Sequence, residues 1–280
     1  MDGFDYYVDA ETGEMFAKND YRLQNVRQIN AYREMKKREE MRLKNRGRNW
    51  VACYHETLRE LIRKLSLDEM GALIKLLPYM RFNKSGQLLM DDVRMGAKEI
   101  AKAIGKKERQ TKTLISALVK AGVLREEKEG RRKVYSVDRA YHTIGITPGS
   151  PFTKLFQSFA KKQLEKLTIQ QAGVLYAALP FFHYKSYLLC NNPDEPDENK
   201  ADPMDAKELA EKLNVNYKTL YRHLDALSKK GLILKVGAYG VTIYRVHPDL
   251  MFRAEVEDEF TEKVRQDFRD AMRAYRKICF

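Results

Sequence analysis

Cysteine is scarce in these 280 residues: Cys53, Cys190 and Cys279 stand far apart and form no C-x-x-C pair. That spacing excludes a disulfide framework and fits a reducing compartment. The five histidines are equally scattered, so no zinc-ligand spacing is present and no metal site is expected. No apolar run is long enough to cross a bilayer, and the first twenty residues are acidic and polar where a signal peptide would be basic and then apolar. H-E-x-x-H, G-x-S-x-G, P-loop and dinucleotide fingerprints are missing, as is a close pair of histidines of the kind a metal-dependent nickase needs. The expectation is a soluble, cytoplasmic protein with no catalytic residues, no cofactor and no membrane contact.

What the chain has in excess is positive charge. The formal net charge is +13 and the pI about 9.4, more than solubility requires, and such an excess attracts polyanions such as nucleic acid. With 44% hydrophobic residues, the length suffices for two cores of ordinary domain size.

It also has an internal repeat. MGAKEIAKAIGKKERQTKTLISALVKAGVL, from Met95 to Leu124, returns as MDAKELAEKLNVNYKTLYRHLDALSKKGLI, from Met204 to Ile233. In each copy a short helix with inward residues (Ile100, Ala101, Ile104; Leu209, Ala210, Leu213) leads through a polar turn at Gly105 or Asn214 to a second helix. That helix has its own stripe (Leu114, Ile115, Leu118; Leu220, Leu224, Leu227) and ends at Gly122 or Gly231. The similarity extends backwards: Gly71, Leu73, Leu77, Pro78 and Tyr79 recur as Gly173, Leu175, Leu179, Pro180 and Phe181. The repeated unit is therefore a domain-sized stretch of about a hundred residues.

After each glycine, VLREEKEGRRKVYSV and LILKVGAYGVTIYRV read as two β-rich runs around a glycine-bearing tip. Leu88–Met90 and Leu188–Cys190 are expected to add a third strand to each hairpin. A helix-turn-helix followed at once by a hairpin resembles the winged-helix family. The resemblance implies that the second helix enters a DNA major groove while the hairpin, or wing, lies along the backbone or minor groove.

The fold expected is mainly α with small β (α+β): two tandem winged helix-turn-helix domains, a basic N-terminal helical arm and a C-terminal amphipathic helix. The divisions are residues 1–48 for the N-terminal segment and arm, 49–143 for the first domain, 144–151 for a proline- and glycine-bearing linker, 152–252 for the second domain and 253–280 for the terminal helix.

Candidate DNA-binding residues follow from helix geometry. With Leu220, Leu224 and Leu227 inward, Asn216, Tyr217, Lys218, Thr219, Tyr221 and Arg222 face outward, a set suited to base edges and phosphates. The first copy presents Lys106, Lys107, Arg109, Gln110, Lys112 and Thr113. It departs from the second in carrying Lys106 for Val215 and Thr111 for Leu220, so it is expected to be an unconventional reader. The first wing is the more basic, with Lys128, Arg131, Arg132 and Lys133 around Gly130, and is expected to grip phosphate or enter the minor groove. The second offers Lys235 and Tyr239. An alternative assigns DNA to one copy and dimerisation to the other.

Elsewhere, residues 20–48 read as a basic arm with an apolar side (Leu23, Val26, Ile29, Tyr32, Met35) that docks on the first domain or leaves its other side to phosphates. NNPDEPDENKADP, 191–203, reads as an exposed, mobile acidic loop. Val256, Phe260, Val264, Phe268, Met272 and Tyr275 make one amphipathic stripe, which either packs on the body or joins a second copy in a homodimer.

The stretch IYRVHPDLMFR resembles its counterpart in the RepL-type replication proteins of Gram-positive plasmids and phages. Two fused winged helices also resemble plasmid replication initiators, which implies binding of double-stranded DNA at an origin and a part in DNA replication. A transcription regulator at an operator is the competing role. A protein-interaction module and a nicking enzyme are the remaining alternatives.

Overall fold

A computed structural model of the chain describes residues 6–9, 11–17, 26–44, 48–82, 84–144, 149–238, 240–254 and 257–279. It divides into two compact units, residues 1–46 with 256–258, and residues 47–255 with 259–280. The smaller unit holds a hairpin of β1 (Tyr6–Val8) and β2 (Met15–Ala17), and α1 (Val26–Lys44). Asp9 accepts from the Glu11 and Thr12 amides, both at 2.9 Å, and so closes the turn, where Gly13 takes φ +73°. Along α1, Val26, Tyr32 and Met35 are exposed.

The larger unit is α+β and carries the duplication. Its first half runs β3 (Trp50–Tyr54), α2 (His55–Lys64), α3 (Leu67–Leu76), β4 (Leu89–Met90), β5 (Val93–Arg94), α4 (Ala97–Ile104), α5 (Glu108–Lys120), β6 (Leu124–Glu129), β7 (Arg132–Val137) and β8 (His142–Ile144). The second half runs β9 (Phe152–Phe156), α6 (Gln157–Leu164), α7 (Ile169–Ala178), α8 (Ala206–Lys212), α9 (Tyr217–Lys229), β10 (Ile233–Ala238), β11 (Val241–Val246) and β12 (Met251–Phe252), and α10 (Glu259–Cys279) follows.

Equivalent helices start on equivalent chemistry. Ser66 and Glu69 form a capping box at α3, with contacts of 2.7 and 3.3 Å, and Thr168 and Gln171 form the same box at α7, both contacts at 3.2 Å. Each helix runs into a short 3-10 turn that carries Pro78 or Pro180.

The repeats interlock. Strands β12, β9, β3 and β8 form one antiparallel sheet in that order. Ala52 pairs directly with Lys154, its counterpart at the offset that relates Gly71 to Gly173. The flanking pair Cys53–His142 has its counterpart in Leu155–Met251. A local twofold axis therefore passes between β3 and β9. Each repeat's first helix also leans on the other repeat's 3-10 turn. Gln157 donates to the carbonyls of Leu77, Pro78 and Met80 at 2.9–3.4 Å, and Arg59 reaches Pro180 O at 3.5 Å.

The second contact across the axis is α3 against α7, where Leu73, Ile74, Leu76, Val174, Leu175 and Tyr176 are buried in a core that continues into both repeats. At about 1.5–3 kcal/mol for each fully buried large apolar side chain, this shared core is a main source of stability.

Sequence and structure differ in three places. WVACY and FTKLF, at which no strand was expected, are the central strands. The runs expected as third strands meet the hairpins briefly, Leu88 N donating to Tyr135 O at 3.3 Å and Leu189 N to Tyr244 O at 2.9 Å, and Leu89–Met90 pairs with Val93–Arg94. The acidic loop, expected to be exposed and mobile, is anchored. Arg253, buried, donates to Phe182 O at 2.7 Å, Pro193 O at 2.9 Å and Asp194 Oδ1 at 2.5 Å, and His183 Nε2 meets Glu195 O at 2.9 Å.

The stripe of α10 is divided along its length. Val264 and Phe268 are buried on the second repeat, where Phe268 meets the His247 ring at 4.7 Å and Thr261 bonds the Tyr187 hydroxyl at 2.7 Å. Tyr275, further along, is exposed, and Val256 lies outside the described residues.

Candidate functional site

In each repeat two helices meet through a tight turn and a hairpin follows at once. Glu99 folds back to accept from Gly96 N at 2.8 Å, fixing the start of α4. Gly105, at φ +70°, ends it and Lys107 opens α5. In the second copy Asp205 caps α8 by accepting from Lys207 N at 2.7 Å and Glu208 N at 2.9 Å. Asn214, at φ +51°, takes the place of Gly105. Gly122 and Gly231, at φ +79° and +69°, end α5 and α9 and turn the chain into the hairpins β6–β7 and β10–β11.

On α9, Leu220, Leu224 and Leu227 are fully buried while Tyr217, Lys218, Tyr221 and Arg222 are exposed, and Thr219 is half-buried. Asn216 is committed to the helix start, its Oδ1 accepting from Thr219 N at 3.3 Å. Lys235, on β10, donates to Asp225 at 2.7 Å and lies 5.1 Å from the centre of the Tyr221 ring. Hydrogen bonds from Lys235 and Lys229 hold the Asp225 carboxyl below its ordinary range. Tyr239 lies outside the described residues.

On α5, Lys107, Arg109, Gln110, Lys112 and Thr113 are exposed and Lys106 is half-buried. Thr111, which replaces Leu220, is buried and satisfies its hydroxyl on Lys107 O at 3.1 Å, so the departure from an apolar residue leaves the helix seated. Lys112 pairs with Glu108 at 3.0 Å.

The basic hairpin carries its own counter-charge. Arg132 pairs with Glu99, Lys133 with Glu126 at 2.7 Å, Arg94 with Glu127 at 2.7 Å and Arg125 with Asp138 at 3.2 Å. Burial opposes it, yet hydrogen bonds from Gly96 N and Arg132 hold the Glu99 carboxyl below its ordinary range. Lys128 and Arg131, either side of Gly130, are exposed at the tip.

Two of the expected residues from different copies converge. Lys106, on the turn before α5, and Arg222, on α9, line one cavity of about 630 Å³ with Asp68, Lys75, Glu165 and His223. Burial lowers the pKa of Lys75, whose Nζ donates to Leu167 O at 2.8 Å. Burial, and then the Arg222 charge, lower that of His223.

A second pair of cavities is related by the repeat itself. Between helix and hairpin, the first copy has a groove of about 640 Å³ lined by Gly96, Glu108, Lys112, Arg132, Lys133 and Tyr135 among others. The second has one of about 460 Å³ lined at the same positions by Asp205, Tyr217, Tyr221, Val241, Thr242 and Tyr244. The charged Glu108, Lys112, Arg132 and Lys133 of the first groove are replaced by Tyr217, Tyr221, Val241 and Thr242 in the second. Sequence reasoning passed over Tyr135 and Tyr244, although the repeated VYSV and IYRV runs carry them in register. Among the described residues no group of three or more His, Cys, Asp or Glu side chains is placed to hold a metal ion. No helix is long and apolar enough to cross a membrane. Comparison with protein-family models, with curated proteins and with solved structures gives no match to this chain.

Proposed function

We propose that this chain binds double-stranded DNA through two winged helix-turn-helix units and acts at an origin of replication. The observation that carries the reading is the outward face of α9, where Tyr217, Lys218, Tyr221 and Arg222 are exposed over a fully buried leucine stripe. Tyrosine, lysine and arginine at the start of a helix that ends in a hairpin suit base edges and phosphates together. The net charge of +13 supplies the attraction that brings a duplex to that face.

The second reading helix is the principal reader. Its cations Lys218 and Arg222 sit beside two exposed tyrosines, whereas Arg132 and Lys133 of the first hairpin are held by Glu99 and Glu126. Lys107, Arg109, Lys128 and Arg131 of the first copy add phosphate contacts. Regulators usually obtain two equal half-sites from a symmetric dimer. Here one chain carries two unequal readers joined through a shared sheet, which favours an asymmetric or directly repeated site and hence initiation over operator binding. A homodimer would use the distal part of α10 around Tyr275, because Val264 and Phe268 are already covered by their own chain.

Titrating the protein into a labelled duplex at several salt concentrations tests the reading. Phosphate contact makes affinity fall by orders of magnitude between roughly 50 and 200 mM salt, and weak binding insensitive to salt would overturn it. Footprinting on the DNA beside the protein's own coding region then separates the roles: protected direct repeats support an initiator, and a protected promoter supports a regulator.

A further inference from the structure

Tyr135 and Tyr244 occupy the same place in the two hairpins, opposite Glu126 on β6 and Lys235 on β10. In the first repeat the Tyr135 hydroxyl donates to Glu126 at 3.4 Å. In the second repeat Lys235 turns away to Asp225, and the Tyr244 hydroxyl, out of contact with water, has no hydrogen-bond partner among the described residues. Burial pushes its pKa up to about 12, so it remains a protonated donor at neutral pH. A buried hydroxyl without a partner is costly, and proteins seldom leave one.

Tyr244 is fully buried at the back of the aromatic groove. In front of it, Tyr217 and Tyr221 are 47% and 43% exposed, with ring centres 6.0 Å apart and planes tilted by 38°. Lys207 lies at the rim and Lys235 beside the Tyr221 ring. The equivalent groove of the first repeat is lined by ion pairs, Arg132–Glu99, Lys133–Glu126 and Lys112–Glu108, so its polar walls already have partners. A flat occupant with a hydrogen-bonding edge suits the second groove: its face stacks on tyrosine, an attached phosphate meets lysine, and its edge meets the orphaned hydroxyl once the groove opens around it.

We infer that the groove between α9 and the β10–β11 hairpin holds an unpaired nucleobase of bound DNA. This rests on the reading of the chain as a DNA-binding protein and adds to it that the second repeat engages a base taken out of the duplex stack. Bases outside the stack are held by aromatic faces and by hydrogen bonds to their edges, and stacking on an aromatic side chain tolerates any base.

The full chain would be titrated against a paired duplex and against the same duplex carrying a three-nucleotide unpaired stretch with 2-aminopurine at its centre. The expected result is a roughly tenfold preference for the unpaired stretch, from base–aromatic stacking, with quenching of 2-aminopurine fluorescence. Tyr244→Phe should bind the paired duplex as the wild type does, lose roughly fivefold of the preference, the worth of one hydrogen bond, and melt no lower, since the hydroxyl has no partner in the free protein. Equal affinity for both DNAs with unquenched fluorescence would overturn this inference and leave duplex binding standing. Failure to bind either DNA would overturn the DNA-binding reading itself.

Discussion

Gly71 on α3 lies so close to Ile169 on α7 that a Cβ built on the glycine would stand 1.8 Å from the Ile169 carbonyl oxygen. The relationship is reciprocal: a Cβ on Gly173 would stand 2.1 Å from Leu67 O, and Leu67 is the counterpart of Ile169. Glycine in a helix interior costs roughly 1 kcal/mol against alanine, so its presence at both positions reflects the approach of two backbones across the twofold. Gly71→Ala or Gly173→Ala should destabilise the larger unit by about 3 kcal/mol, the upper end for an overpacked site, because backbone rather than a side chain must move. Urea midpoints measure this, and an unchanged midpoint in both variants would show that the helices do not meet as described.

One guanidinium supplies two of the contacts that hold the loop at 191–203, beside those of His183 and Lys185. Arg253→Met removes the donor to Phe182 O, Pro193 O and Asp194 at once. A loss of about 2–3 kcal/mol is expected, below the 3–5 of a fully buried pair because Asp194 is half-exposed. Limited proteolysis should then cut within 191–203 of the variant and spare the wild type. Equal resistance would contradict the clamp.

Two arginines at neighbouring positions of the first hairpin should behave differently towards DNA. Arg131→Ala should flatten the dependence of log affinity on log salt by roughly 0.9, the value of one phosphate contact. Arg132, tied to Glu99, should alter that slope less when replaced, while loosening the start of α4 that Glu99 also holds. Titrations of both variants across salt decide, and a larger change for Arg132→Ala would reverse the assignment.

Acid should weaken the fold before most of its carboxylates protonate. His142 is buried, with Nε2 3.0 Å from the Tyr176 hydroxyl, and burial lowers its pKa to about 3. Burial, and then the Arg253 charge, bring that of His55 to about 3, with Nε2 2.8 Å from Thr153 Oγ1. The folded state holds both neutral, whereas an unfolded histidine protonates near 6.5. Between those values the unfolded chain binds more protons, so stability is full above about 6.5 and falls as pH drops towards 3, by up to about 1.4 kcal/mol per pH unit per histidine. Melting curves from pH 7 to 4 should show this slope, and His55→Gln with His142→Gln should reduce it. The same slope in the double variant would assign it elsewhere.

What the sequence made legible was local. The paired helices of the two copies were readable because their signals lie within a few residues of each other: an apolar stripe at helical spacing, Gly105 or Asn214 at the turn, and Gly122 or Gly231 at the stop. The central sheet was not, because Trp50–Tyr54 and Phe152–Phe156 are runs of only five residues, equally compatible with helix, whose pairing spans about a hundred residues of chain. Neither could the face of α5 or α9 reveal which cations are already answered. Glu99 and Arg132 are on different elements, and only the folded hairpin joins them. Tyr244 became conspicuous only when its hydroxyl was found without the partner that Tyr135 has in Glu126.

The most direct measurement is a footprint and competition titration of the wild type and of the Tyr221→Ala, Arg222→Ala variant on a protected site and on random duplex of equal length. If α9 reads base edges, the variant keeps salt-dependent binding to both DNAs and loses its preference for the protected site. An undiminished preference in the variant would mean that this helix is not the reader.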